Sequence, residues 1–387
     1  MSSVTASYRL QGSEQDAEAR AEQLRLEQTV ELPGAAVPEG FVAEEIVPEI
    51  VSVEREGEHA HRIVLRFGAG TIADDAGQLL NVLFGNSSLQ PDLSLVDVEV
   101  PPALGTVFGG PRFGIAGLRQ MAGVTDRPLT CTALKPVGLS ANQLGDLCET
   151  FAAAGIDVIK DDHGLGDHHF CRFEPRLEAC LTAIERAAQR TGRRALYAPS
   201  LVGPPAKIER HLARCRDRGV QAVLIAPMFS GPNLMHQLVE SPAGMAVLAH
   251  PALAGAGRIE PHVLLGTLFR LFGADASIFP HEGGRFSYDS KGCAAIARAL
   301  REPLGSVRPS MPIPAGGMSV ERAEEVVRFY GRDAMLLIGG SLYLDGSRLA
   351  DRSRQFVEAV DEASRALDDG GSRLSHSVSP EPRSEHG

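Results

Sequence analysis

The stretch LTCTALKPVGLSANQLGDLCETFAAAGIDVIKDDH, residues 129–163, contains the repeating unit of this protein. It opens with an apolar run (129–135), continues through a segment in which apolar residues recur every three or four positions, and closes with a second apolar run (158–162). The middle spacing is typical of a helix with one buried face, and the runs are typical of parallel strands buried on both faces. The stretch therefore predicts a strand–helix–strand unit.

The same unit recurs along the rest of the chain. Further apolar runs, each separated from the next by a helical segment, occupy residues 195–203, 222–228, 246–253, 276–281, 311–317 and 334–340. Together with the first two runs they make eight units, which predict a closed (β/α)₈ barrel, because that fold typically takes about 250 residues. An open doubly wound sheet is the alternative.

The first part of the chain lacks this rhythm. Residues 51–68 alternate like an antiparallel strand pair around a turn, residues 94–102 are predicted as another strand, and residues 17–30 and 75–85 as helices. We therefore predict three parts: an N-terminal α+β sandwich of the ferredoxin-like kind (1–118), the catalytic barrel (119–366), and a polar, disordered tail (367–387).

Composition and charge exclude several classes of function. The 387 residues include 38 Lys+Arg and 49 Asp+Glu, which gives a net charge of −11 and argues against binding to nucleic acid or to an anionic membrane. No apolar run approaches the length of a spanning helix and the N-terminus is polar, so we expect a cytoplasmic protein. The six scattered cysteines form no CxxC pair and are expected to be reduced thiols.

In such a barrel, the residues that follow the carboxyl ends of the strands form the active site. The second strand closes with Lys160, Asp161, Asp162 and His163. In extended geometry Lys160 and Asp162 point into the barrel mouth and Asp161 points away. An acidic ligand beside a lysine suggests a divalent ion such as Mg²⁺, whereas an internal Lys160–Asp162 salt bridge is the alternative, and the residues alone leave both open.

Two further strand ends carry candidate catalytic groups. Lys135 ends the first strand and is followed by a proline, which restricts the backbone of the residue before it. Its amine could donate a proton to a substrate oxygen. His250 ends the fifth strand and could act as a base or as a hydrogen-bond donor to substrate.

The last three strand ends carry candidate binding groups. The pairs Gly316–Gly317 and Gly339–Gly340 follow strands seven and eight, where barrels often bind phosphate through backbone N–H groups. The loop after strand six contains His281 and Arg285. We expect both to contact substrate, with the guanidinium binding a phosphate or a carboxylate.

Taken together, ALKPVGLS, GIDVIKDDH, the histidine at 250, PAGGM and LLIGGSLY resemble the large subunit of RuBisCO, and more closely the form IV RuBisCO-like proteins. The segments LEQTV and FGNSS extend the likeness into the N-terminal domain. The resemblance implies that CO₂ carbamylates Lys160, that this carbamate binds Mg²⁺ together with Asp162 and His163, and that Lys135 handles the proton at the enolisable carbon. It also implies a homodimer.

In that dimer, the resemblance places Glu27 and Asn86 at the barrel mouth of the partner subunit. The departures from the family are equally informative. His163 stands where the family usually has a glutamate, and Val137 stands where carboxylating enzymes have a second lysine. Pro251 replaces an arginine. We therefore expect an enolate-forming enzyme that does not fix CO₂.

The pattern IKDDHGL with FPHEGGRFS resembles the branch of form IV proteins that acts on 3-oxo-isoapionate 4-phosphate. This resemblance implies a Mg²⁺-dependent decarboxylase, a carbon–carbon lyase of carbohydrate catabolism. The alternatives are a transcarboxylase/hydrolase on the same substrate, a methylthioribulose-phosphate enolase or isomerase, and a catalytically idle sugar-phosphate sensor. A methylthio group needs an apolar pocket, and the sequence shows no obvious one, although Met228, Phe229 and Phe279 could supply it.

Overall fold

The structure is a computed structural model, and it describes residues 3–12, 17–241, 244–344 and 346–374. Within these residues, no helix combines the length and the apolar character that crossing a membrane requires. The predicted tail begins at residue 367, inside a helix that continues to Leu374, and residues 375–387 lie outside the described part of the chain.

The N-terminal domain contains an antiparallel sheet with helices packed on it, as predicted. Its strands are β1 (Val4–Gln11), β2 (Glu49–Arg55), β3 (Ala60–Phe67) and β4 (Leu93–Glu99), in the order β2-β3-β1-β4. Its main helices are α1 (Ala17–Glu27) and α2 (Ala76–Phe84). Strand β1 was not predicted, although its sequence VTASYRLQ alternates between apolar residues that are buried and polar residues that are partly exposed. Tyr8 of this strand donates a hydrogen bond to the carbonyl of Leu83 in α2, at 2.6 Å.

The barrel follows and confirms the eight predicted units. Its parallel strands are β5 (Leu129–Leu134), β6 (Val158–Asp161), β7 (Leu196–Ala198), β8 (Ala222–Ile225), β9 (Ala246–Ala249), β10 (Ala276–Pro280), β11 (Met311–Ala315) and β12 (Met335–Ile338). The sheet closes between β7 and β8, where the Leu224 N–H donates to Pro199 and the Leu201 N–H donates to Leu224, each at 2.9 Å.

Helices surround the barrel and connect its strands. They are α3 (Pro102–Phe108), α4 (Gly114–Ala122), α5 (Ala141–Ala153), α6 (Phe173–Thr191), α7 (Pro205–Asp217), α8 (Pro227–Ser230), α9 (Pro232–Glu240), α10 (Phe269–Leu271, preceded by a π turn His262–Leu268), α11 (Ser290–Arg301), α12 (Ala323–Tyr330), α13 (Gly340–Tyr343) and α14 (Leu349–Leu374). Short 3₁₀ or π turns lie at Gly34–Ala36, Val42–Ile46, Ala69–Thr71, Asn86–Leu89, Ala254–Ala256, Val320–Arg322 and Gly346–Arg348.

Helix α4 closes the bottom of the barrel. Its Ile115 and Leu118 belong to the same apolar cluster as the residues that fill the barrel interior. The buried Asp275 carboxylate accepts hydrogen bonds from the backbone N–H groups of Phe113 and Gly114, at 2.6 and 2.7 Å, and so fixes the start of this helix. The domain boundary predicted at residue 118 therefore falls inside a helix that packs with the barrel.

The loop after β9 joins the two domains. The Leu95 N–H donates to the Arg258 carbonyl, and the Glu260 N–H donates to the Leu95 carbonyl, both at 2.9 Å. This loop thereby adds one short bridge to the β4 edge of the N-terminal sheet. As a result, the N-terminal domain is attached to a loop at the carboxyl end of the barrel strands, the end that carries the candidate site.

Candidate active site

Strand β6 presents Lys160 to the barrel interior, on the same face as Val158, because alternate residues of a strand share a face. Lys160 is 3% exposed, and its Nζ donates to the carbonyl of Asp161 at 3.0 Å. Burial lowers the pKa of this amine below its usual value, because a charged group loses its hydration there. A larger fraction of Lys160 is therefore neutral than for a lysine in water.

The carboxylate of Asp162 pairs with Lys135, which contradicts the Lys160–Asp162 salt bridge considered from the sequence. The Gly164 N–H donates to the other carboxylate oxygen at 3.0 Å. Burial alone would raise the pKa of Asp162, but the hydrogen bonds from Lys135 and Gly164 outweigh it and lower the pKa. Asp162 is thus a carboxylate that joins the ends of strands β5 and β6.

Two histidine rings stack beside this pair. His163 and His250 lie 4.0 Å apart, centroid to centroid, and His163 Nδ1 is 3.5 Å from Asp162 Oδ1. The Ala252 N–H donates to His250 Nδ1 at 3.1 Å, so we assign the ring proton of His250 to Nε2. Burial, with Lys160 and His163 nearby, lowers the pKa of His250 to about 2, which keeps this ring neutral. A neutral ring of this tautomer donates through Nε2.

Tyr343 is a site residue that the sequence analysis missed. Its hydroxyl donates to the Ala133 carbonyl at 2.8 Å and accepts a hydrogen bond from the Lys135 N–H at 3.1 Å. Helix α13 therefore fixes the backbone that carries the Lys135 side chain. The available signal was the tyrosine of LLIGGSLY, directly after the second glycine pair.

The two glycine pairs have different surroundings. Gly316 and Gly317 have φ angles of +83° and +66°, and a Cβ at Gly317 would lie 2.7 Å from the carbonyl carbon of Gly283. The loop after β10 therefore packs directly on this pair. A Cβ at Gly339 or Gly340 would meet no atom of the described residues within 4 Å. Gly316, Gly317 and Gly340 are all exposed, so the backbone at both strand ends is accessible to a ligand, and the pair at the end of β11 also contacts the loop after β10.

His281 and Phe279 lie on the outer face of strand β10, because Ile278 faces the interior. His281 is 2% exposed, and its Nδ1 is 2.9 Å from the hydroxyl of Tyr330 in α12. The structure therefore places His281 between the barrel and a helix, not among the mouth residues where substrate binding was predicted. Phe279 is fully buried in the same layer and is not available to the predicted methylthio pocket.

The loops around the mouth expose large apolar side chains. Those of Val137, Phe229, Leu253, Phe286 and Leu344 are each at least two-fifths exposed. Arg285 is also exposed, and its guanidinium lies 6.0 Å from the centroid of the Phe286 ring. Met228 is partly buried against the core. An apolar rim of this kind is suited to contact with another surface or with an apolar part of a ligand.

Glu27 and Asn86 come together in the N-terminal domain. The Asn86 Nδ2 donates to Glu27 Oε1 at 3.1 Å, at the end of α1 and just after α2. Both residues are at least partly exposed. The structure therefore brings these two predicted residues into one polar pair on the surface of the domain.

The donor set for Mg²⁺ is incomplete without a modified lysine. Among the described residues, no three His, Cys, Asp or Glu side chains form a group that could hold a metal ion. Asp162 and His163 supply one oxygen and one nitrogen donor side by side, and the ammonium form of Lys160 supplies none. A carbamate on Lys160 would add oxygen donors of the kind that Mg²⁺ prefers. The neutral, buried amine is the form that reacts with CO₂, so these residues fit the metal with the modification.

The sequence is similar to those of known proteins whose family has an active site at the same end of a barrel. Residues 114–279 match the family described as ribulose bisphosphate carboxylase large chain, catalytic domain. The chain is 44% identical to ribulose bisphosphate carboxylase-like protein 1 of Rhodopseudomonas palustris, over 92% of this chain and 97% of that protein. It is 42% identical to the 5-methylthioribulose-1-phosphate isomerase of Rhodospirillum rubrum, over 92% of this chain and 96% of that enzyme.

The fold agrees as well. The crystal structure of a Rubisco-like protein from Rhodopseudomonas palustris superimposes with a TM-score of 0.86 at 43% identity, covering 93% of this chain and 97% of that one. Identity at this level over nearly the whole of both chains places the protein in a family and excludes a likeness of fold alone. The chain therefore belongs to the RuBisCO large-chain family and, within it, to the RuBisCO-like proteins.

Proposed function

We propose that this protein is an isomerase that moves a proton within a phosphorylated keto sugar carrying a methylthio group, through an enolate. The observation that carries the proposal is the Lys135 amine, held against Asp162 beside the neutral ring of His250. Such an arrangement offers a group that can carry a proton and a donor for a developing oxyanion. The isomerase relative in Rhodospirillum rubrum supports this class of reaction.

In the proposed reaction, the neutral amine of Lys135 takes a proton from the hydroxyl-bearing carbon next to the carbonyl and returns it to the former carbonyl carbon, while the hydroxyl proton passes to the former carbonyl oxygen. His250 Nε2 donates a hydrogen bond to a substrate oxygen. Asp162, His163 and a carbamate on Lys160 would hold Mg²⁺, and its positive charge would stabilise an enolate oxygen. The open backbone at Gly339–Gly340 is the proposed phosphate site.

Val137 supports an enolate that is not carboxylated. Its Cγ2 lies 3.5 Å from the place a Cβ would take at Gly164, and Asp162 Oδ1 lies 3.3 Å from the same place. An apolar side chain therefore stands beside the candidate metal ligand, and the side chain is 44% exposed at the rim. This position favours contact with an apolar substituent such as a methylthio group over contact with a carboxylate.

The test is incubation of the Mg²⁺- and bicarbonate-loaded protein with 5-methylthioribulose 1-phosphate in D₂O, followed by NMR. We expect deuterium at the carbon next to the carbonyl and the appearance of an isomeric ketose phosphate. A Lys291→Met variant, which changes an exposed lysine of α11, serves as the matched control for Lys135→Met. Absence of both exchange and product would contradict the proposal.

A second candidate function is decarboxylation of 3-oxo-isoapionate 4-phosphate, which proceeds through an enolate of the same kind. The exposed guanidinium of Arg285 at the rim favours it, because this group could bind a substrate carboxylate. Release of CO₂ from that compound would support a decarboxylase, and a glycolate product would support the transcarboxylase/hydrolase alternative. If neither product forms, Arg285 has no substrate carboxylate to bind. The Arg285→Ala variant should then have the same isomerase turnover as the wild type.

We further propose that the active unit is a homodimer in which the partner's N-terminal domain covers the apolar rim and brings Glu27 and Asn86 to the mouth. The test mixes two inactive variants, Lys135→Met and Asn86→Ala, after subunit exchange. A heterodimer contains one intact site, so about a quarter of wild-type activity is expected from a random mixture. No recovery from a mixture shown to contain heterodimers would contradict shared sites.

A further inference from the structure

Asp161 is a fully buried carboxylate between the two inward-facing candidate ligands of strand β6. Its side chain faces outward, into the layer between the barrel and its helices. Three groups bond it there: Arg176 Nε at 3.0 Å, the Tyr197 hydroxyl at 2.6 Å and the Ser200 N–H at 3.0 Å. Both carboxylate oxygens are thus occupied, and the orientation of this strand end is fixed from behind.

Arg176 connects that carboxylate to the loop that follows the strand. This residue of α6 is fully buried, and its Nη1 donates to the Gly166 carbonyl at 2.9 Å. The same nitrogen lies 3.4 Å from the Cys171 carbonyl, which it also bonds. One side chain therefore holds the end of strand β6, through Asp161, and the loop at two points.

The first part of this loop is a turn with internal hydrogen bonds. The Leu165 N–H donates to the Asp162 carbonyl at 2.9 Å, and the Gly164 N–H donates to the Asp162 carboxylate at 3.0 Å. His168 Nε2 is hydrogen-bonded to the Gly164 carbonyl at 3.0 Å. Because the turn is bonded internally, the position of Gly166 sets the position of Asp162 and of the histidine that follows it.

Stability alone is a poor explanation for this buried pair. On average, a buried ion pair stabilises a fold no better than apolar side chains of the same volume. In addition, among the described residues, Nη2 of Arg176 is a buried donor without a hydrogen-bond partner. An unsatisfied buried donor opposes folding.

We propose that Arg176 and Asp161 are positioning residues, which hold the turn 162–166 so that Asp162 and His163 face one metal ion. The inference rests on the proposed function for the identity of the bound group, while the positioning of the turn can be measured without it. Removal of a residue that orients a metal ligand typically lowers metal affinity about 10–100-fold.

The experiment compares Arg176→Lys with the wild-type protein. Lysine keeps the charge beside Asp161 but cannot bond the strand and the loop together. We expect the Kd for Mg²⁺ in bicarbonate buffer, measured by calorimetry, to rise about 10-fold or more. We also expect faster hydrogen exchange in the turn 162–166, measured by mass spectrometry without metal. Tyr197→Phe removes one hydrogen bond to Asp161. We expect it to raise the Kd for Mg²⁺ and the exchange rate of the turn by smaller amounts, so it tests the proposal if Arg176→Lys does not fold.

The matched control is Arg127→Lys, because Arg127 precedes β5 and pairs with Asp157 at the opposite end of β6. It is expected to lower the Tm while leaving the Kd for Mg²⁺ and the exchange of the turn unchanged. If Arg176→Lys or Tyr197→Phe lowers the Tm in the same way without changing exchange in the turn, the positioning role is wrong. If the wild-type protein binds no Mg²⁺, the metal assignment of the proposed function fails, and hydrogen exchange alone decides the positioning role.

Discussion

Asp157 lies immediately before strand β6 and Asp161 ends it, and each is a buried carboxylate bonded by an arginine. Asp157 accepts from Arg127 at 2.6 and 3.0 Å, from Arg193 at 3.0 Å and from the Thr130 hydroxyl at 2.8 Å. These partners belong to the beginnings of neighbouring strands. The amino end of the strand is thus tied into the floor of the barrel.

At the carboxyl end, the partner of Asp161 also bonds the loop that carries the candidate ligands. The two ion pairs are chemically alike, and what differs is the segment each arginine holds in addition. In barrels of this type the amino end serves stability and the carboxyl end serves catalysis. Burial and charge therefore do not reveal the role of a buried ion pair. Its role is revealed by the segment of chain that the arginine bonds in addition to the carboxylate.

The largest expected effect is on activity, at the carboxyl end. Lys135→Met removes the proposed proton carrier, and kcat should fall by about 10²–10⁴-fold. Because the Lys135 side chain is 41% exposed, its loss should lower the free energy of unfolding by only about 1 kcal/mol. Steady-state kinetics and urea unfolding measure the two effects. Turnover within twofold of the Lys291→Met control would remove Lys135 from the mechanism.

The next effect is on stability, at the amino end. Asp157→Asn removes one of the two carboxylates that pair with the buried Arg127, the other being Asp361, and the free energy of unfolding should fall by about 1.5–3 kcal/mol. The kcat of the protein that remains folded should equal that of the wild type, because no loop of the mouth is bonded to this carboxylate among the contacts described. If kcat falls strongly under conditions in which the variant is fully folded, the two ends of β6 are coupled.

A smaller effect is expected for Tyr343→Phe. The variant loses the hydroxyl that bridges the Lys135 N–H and the Ala133 carbonyl. The free energy of unfolding should fall by about 1 kcal/mol, and kcat by up to about 5-fold if the same energy is lost in the transition state. KM should stay unchanged. A change in KM alone would mean that Tyr343 contacts substrate and does not orient Lys135.

The effect that is smallest at neutral pH is a dependence of stability on pH at His281. Burial, with Arg322 nearby, lowers the pKa of His281 to about 4 from 6.5. Between these values the unfolded chain takes up a proton that the folded protein does not, so stability should fall as the pH falls from 6.5 towards 4. The slope of Tm against pH should be shallower in His281→Asn than in the wild type. His59→Asn, at an exposed histidine, is the control, and an equal slope in all three proteins would contradict this account.

The difference between the two ends of β6 could be predicted from sequence only in part. The apolar runs and helical spacings predicted the barrel and the strand ends, and the period of two along β6 predicted that Lys160 and Asp162 share a face. The same period, applied to strand β10, would have placed His281 outside the barrel, because Ile278 faces in. That error was avoidable, whereas the roles of Tyr343 and Arg176 depend on which elements meet in space.

The sequence by itself determined the eight repeating units, the N-terminal α+β domain and the identity of the charged residues at the strand ends, because these follow from local periodicity and composition. Only the tertiary structure decided that Asp162 pairs with Lys135 and not with Lys160, that Arg176 reaches Asp161, and that the loop after β10 packs against Gly317. The physical reason is that the partner of a charged side chain depends on strand register and barrel closure, which bring together residues that are far apart in the chain.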